Sequence, residues 1–139
     1  MKPPEDALRS LVRQWLEKAA RDLDAAERLS TEGGRLREIV AFHCQQAAEK
    51  YLKALLVRNQ IEFPKTHDIL KLLDKVAIVD SKLADSLRPA DVLTPFGVEM
   101  RYPSDAPEIR EDAEIEALHL ARQVRDAVLI SLRPYLGVG

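Results

Sequence analysis

Residues 37–57 read REIVAFHCQQAAEKYLKALLV. Long-chain residues and alanines dominate, with no glycine or proline, so the segment reads as one continuous helix from about Leu36 to Arg58. At ~100° per residue, Val40, Cys44, Ala47, Ala48, Tyr51, Ala54 and Leu55 fall within one arc of roughly 120°. That arc is the expected core face, with small alanines that let neighbouring helices approach, and Cys44 reads there as a small buried hydrophobe. The opposite arc is mixed. His43, Gln46, Lys50 and Lys53 form one polar stripe, Gln45 and Glu49 a second, and Ile39, Phe42, Leu56 and Val57 lie among them. A freely solvated face has no need of Phe42 or Leu56. Amides mixed with large apolar groups suit a covered surface, so Ile39, Phe42, Gln45, Gln46, Glu49 and Leu56 are expected at a homodimer seam or a groove floor. The alternative is that the glutamines and Glu49 are ordinary surface positions and Phe42 packs on the following loop.

The rest of the chain supplies helices to surround this one. Leu8, Leu11, Trp15, Ala19, Leu23, Ala26 and Leu29 recur at steps of three and four, predicting a first helix over about 4–29. STEGG (30–34) ends it, because two glycines permit a turn. FPKTHDILKLLDKV (63–76) predicts a third helix from about Thr66, with Thr66 as N-cap, and a weaker one over 81–93 is bent or split by Pro89. TPFGVEMRYPSDAP (94–107) is the longest expected non-helical connection. The last helix is placed from about Pro107, with Ala113, Ala117, Leu120, Val124 and Val128 as its buried stripe and Pro134 and Gly137 as its stop. The sum is a single all-α domain over 1–139, an up-and-down antiparallel bundle of four long helices plus a short one.

Composition narrows the function. A net charge of -2 over 139 residues argues against coating nucleic acid by bulk charge. The charge is nevertheless polarised: residues 50–75 hold six Lys/Arg against three acids, and residues 80–116 four against ten. One cysteine excludes an internal disulfide, and no Cys/His spacing suggests zinc; no metal or cofactor is expected. The N-terminus MKPPEDALRS lacks a signal-peptide core and no apolar run reaches the ~20 residues of a membrane span, so a cytoplasmic, membrane-free protein is expected.

FHCQQAAEKYLKALL (42–56), PKTHDILKLL (64–73) and RYP (101–103), in that order and spacing, resemble the HEPN domain, and the likeness extends back to WLEKAARDLDAAERL in the first helix. The resemblance implies a helical bundle that usually dimerises. Stand-alone prokaryotic members are often encoded beside a minimal nucleotidyltransferase, as toxin–antitoxin pairs. Many members are metal-independent ribonucleases, whose signature is an Arg, then four to six residues, then His, near the start of a late helix. Others bind nucleotides or scaffold a partner. Here Arg101 is followed by Tyr-Pro, and the next histidine is His119, far outside that window. Arg37 and His43 meet the bare spacing, but on one continuous helix and ~120° apart.

The expected nucleotide- or phosphate-binding residues are therefore His43, Gln46, Lys50, Lys53, His67, Arg101 and Tyr102. His43 and Arg101 are the candidates for catalysis, which needs a group to move a 2′-hydroxyl proton and a cation for the phosphorane. His67, near the third helix N-terminus, serves either a cap or a ligand. Arg101 either grips phosphate or pairs with a carboxylate such as Glu49. The leading expectation is a homodimeric module that binds a nucleotide, RNA or a nucleotidyltransferase partner. The alternatives are a metal-independent endoribonuclease toxin and an interaction scaffold without a small ligand.

Overall fold

A computed structural model of the chain describes residues 4–97 and 110–137. These residues form helices α1 (Glu5–Leu29), α2 (Arg37–Arg58), α3 (Ile69–Val76), α4 (Ser81–Ser86) and α5 (Ala113–Leu136), with no strand among them. Short 3-10 turns join α1 to α2, and a 3-10 segment, Arg88–Gly97, follows α4. The all-helical expectation holds. The expected four long helices become three, because α3 has 8 residues and α4 only 6.

The boundaries have local causes. Glu5 and Asp6 sit in the first turn of α1, favourable to the helix dipole, and Gly33, at φ 81°, makes the turn that frees the chain to start α2. The N-cap of α3 is Asp68, not Thr66: the Asp68 carboxylate accepts from the Leu70 and Lys71 amides, while the Thr66 hydroxyl accepts from the Asp68 amide. The expected helix over 81–93 breaks at Leu87, two residues before Pro89, and continues as 3-10 turns. Helix α5 begins at Ala113, after Asp112 takes a left-handed conformation at φ 67°; the expected start near Pro107 lies outside the described residues. It runs through Pro134 and stops at Gly137, also left-handed, at φ 74°.

Helix α2 is the central element, packed most extensively against α1 and α5. Its predicted core arc, from Val40 to Leu55, is buried. The predicted α1 stripe is buried except that Val12 replaces Leu11, which is exposed, while Trp15 and Leu29 are partly covered. Contacts along the helices set their directions. Trp15 and Asp22 of α1 meet Lys53 and Lys50 of α2, so those two helices are antiparallel. Arg37 pairs with Glu114 and Arg58 lies over Tyr135, so α5 runs parallel to α2, with α3, α4 and the 3-10 segment making the return.

Candidate functional site

Glu49 is the centre of a buried polar group on α2. Gln45, Glu49 and Lys53, spaced one turn apart, are 0 %, 4 % and 8 % exposed. Lys53 Nζ donates to Glu49 Oε2 at 2.8 Å and lies over the rings of Trp15 and Phe63, 5.6 Å from each ring centroid. His67 Nδ1 donates to Glu49 Oε1 at 2.7 Å. Gln45 Nε2 donates to the same oxygen at 3.2 Å and to the His67 carbonyl at 2.7 Å, and its own Oε1 accepts from Gln46 Nε2 at 2.7 Å. Burial alone would push the Glu49 carboxyl upward. Hydrogen bonds from Lys53 and His67, with the Lys53 charge and Gln45 adding to them, overcome this and hold it below the ordinary carboxylate range. The carboxylate is therefore ionised, and it fixes the His67 ring with its proton on Nδ1. The ring itself stands at the surface, 60 % exposed.

A second group lies on the α1 side of the same flank. Asp22 accepts from His43 Nδ1 on Oδ1 at 2.9 Å and from Lys50 Nζ on Oδ2. His43 also packs edge-on to Phe42, with ring centroids 5.4 Å apart. The side chain of Asp22 is 14 % exposed and that of His43 27 %. Gln46, half-buried, lies on α2 between the two groups.

Several expected residues are thus placed differently from the sequence reading. Gln45, Glu49 and Leu56 are covered by their own chain and have no surface left for a second copy. Ile39 is exposed, and Phe42 and Gln46 are partly so. Lys53 is withdrawn into an ion pair under two aromatic rings, which removes it as a phosphate ligand. Lys50 is spent on Asp22. Arg37 pairs with Glu114 at 2.6 Å, away from His43. His119 is exposed on α5. Arg101 and Tyr102 lie outside the described residues. Cys44 is fully buried, and desolvation pushes its thiol up to about 12, against a smaller opposing effect of Arg122.

Two participants escape a reading of α2 alone. Asp22, the acceptor for both His43 and Lys50, adjoins the buried stripe of α1, three residues after Ala19 and next to Leu23. Its role depends on the register of two helices, though an acid so close to an apolar stripe is a usable signal. Gly97 is buried against Gln45; a Cβ there would come within 2.5 Å of the Gln45 amide carbon. Elsewhere, a cavity of about 210 Å³ between the 3-10 segment and α5 is lined by Val92, Leu93, Phe96, Ala113 and Ala117, with Arg110 and Glu116 also on its wall. Among the described residues no group of three or more His, Cys, Asp or Glu is placed to hold a metal ion, and no helix is long and apolar enough to cross a membrane.

No curated protein and no solved structure matches the chain. The family profile described as HEPN domain matches residues 12–131, which span α1 from its first buried valine, all of α2 to α4, and α5 to its last full turn. With that match over most of its length, and with the helical order described above, the chain belongs to the HEPN domain family.

Proposed function

We propose that the protein is a cytoplasmic HEPN binding module that engages a nucleotide or RNA through the α2 flank bearing His43, Gln46 and Lys50, with His67 beside it. One observation carries this reading: His67 is exposed at its ring yet anchored through Nδ1 to a buried, charge-balanced carboxylate. A histidine that serves only as surface needs no such anchor. A ring so oriented presents Nε2 in a fixed tautomer, an acceptor while the ring is neutral and a donor to an anion once it is protonated. Arg101 and Tyr102 join the site on the family resemblance, as a phosphate grip and a base-stacking ring. Homodimerisation through Ile39 and Phe42, and pairing with a nucleotidyltransferase in a toxin–antitoxin module, belong to the same proposal.

The second reading, a metal-independent endoribonuclease, is favoured by the same pair. A carboxylate that orients an imidazole is the arrangement of a general base, and Arg101 would supply the cation for the phosphorane. Sedimentation velocity with a dye-labelled single-stranded RNA, followed by electrophoresis of the recovered RNA, separates the readings. The binding module predicts co-sedimentation with a dimer of the chain and RNA recovered intact. Fragments that disappear with His67→Gln establish the nuclease instead. RNA that sediments alone and uncut leaves only a scaffold.

A further inference from the structure

The two polar groups on α2 share one design. Asp22 takes His43 on one oxygen and Lys50 on the other; Glu49 takes His67 on one oxygen and Lys53 on the other. In each group one carboxylate cancels one ammonium, and the imidazole is the remainder. With neutral rings each group sums to zero; with protonated rings each carries one positive charge. Neither lysine can turn to a phosphate without stripping a partly or wholly buried carboxylate of its partner, which is costly. The imidazoles face no such cost. Each already spends Nδ1 on its carboxylate, and among the described residues Nε2 of each ring has no hydrogen-bond partner.

On the reading given under Proposed function, we propose that the imidazolium groups of His43 and His67, rather than the lysines, grip the phosphates of an RNA strand, so that affinity rises as pH falls. Histidine is the side chain whose ordinary titration lies between about pH 5 and 8. The charged groups facing His43 are Asp22 of α1 and Lys50 of α2; those facing His67 are Glu49 and Lys53 of α2, with Lys65 and Asp68 adjacent in the chain. The two rings belong to separate groups, so they offer two anion contacts, which a strand with several phosphates can fill. Each new charge-assisted hydrogen bond from Nε2 strengthens binding by roughly tenfold or more.

The test is fluorescence anisotropy of a rhodamine-labelled 12-nucleotide oligouridylate against the full chain, from pH 5.5 to 8.5 at constant ionic strength. The expected result is affinity at least tenfold tighter at pH 5.5 than at pH 8.5. The His43→Gln/His67→Gln variant should bind at all pH values as weakly as the parent does at pH 8.5, while His119→Gln keeps the full slope. If the double variant does not fold, His67→Gln alone, at an exposed ring, must remove about half of the logarithmic gain. Tight binding without pH dependence, or a slope that survives in the His67→Gln and double variants, overturns the imidazole grip while leaving RNA binding in place. No binding at any pH overturns the proposed function as well.

Discussion

Glu49 is a costly residue to bury, and its surroundings show how the cost is met. Its oxygens receive Lys53, His67 and Gln45, so the ion pair is satisfied on both sides. Removing only the carboxylate charge strands the Lys53 ammonium beneath Trp15 and Phe63. Glu49→Gln should therefore lower unfolding stability by roughly 3 kcal/mol. The double change Glu49→Leu/Lys53→Met should recover part of that, because it strands no ammonium, although His67 Nδ1 and one Gln45 N–H lose their acceptor. Urea unfolding measures both; a single variant within ~0.5 kcal/mol of the parent would show that the pair is not buried as described. The sign of the pH effect follows from the depressed Glu49 carboxyl. Its contribution is complete above the ordinary carboxylate range and is lost as pH falls through the lower value it has in the fold. That Glu49 and Lys53 share a flank with His43 is readable from helical spacing. What covers them is not, because Trp15 and Phe63 come from distant parts of the chain.

At the scale of elements, the long helices are legible where their apolar residues repeat over several turns. The buried arcs of α2 and α5 are those expected from spacing, and the GG turn after α1 lies where two glycines permit it. The failures are local competitions. Leu11 and Val12 are neighbours of similar hydropathy, and only the packing of α1 on α2 decides which is buried. Thr66 and Asp68 can both cap, and the carboxylate wins because it receives two amides of α3. The 3-10 segment has a role that composition does not announce: it brings the backbone of Gly97 onto the amide of Gln45, whose hydrogen bonds to Glu49, Gln46 and His67 pin it. Gly97→Ala should force that amide aside and cost roughly 1–3 kcal/mol, with the His67 contacts loosened together with it. Thermal unfolding checks the first part. A variant as stable as the parent would mean that Gln45 yields freely.

Across the whole molecule, α2 organises both stability and the candidate site. One side of it is the core shared with α1 and α5; on the other, Asp22 of α1 and Glu49 of α2 hold a half-buried His43 and an exposed His67. Much of the family resemblance is carried by FHCQQAAEKYLKALL on α2 and PKTHDILKLL running into α3, the stretches that also supply Gln45, Glu49, Lys53 and His67 to the buried polar group. The ligand-facing geometry is less legible, since it depends on Asp22 reaching across from α1 and on His67 lying back over Glu49. The chain has three histidines, and only His119 lies outside both groups, so each protein sample carries its own control. Nitrogen-15 spectra of the imidazoles, recorded with increasing unlabelled oligouridylate, should place the ring proton of neutral His43 and His67 on Nδ1 and move their Nε2 resonances on RNA addition, with His119 unchanged. Spectra in which the Nε2 resonances of His43 and His67 stay fixed while RNA binds would contradict the site described here.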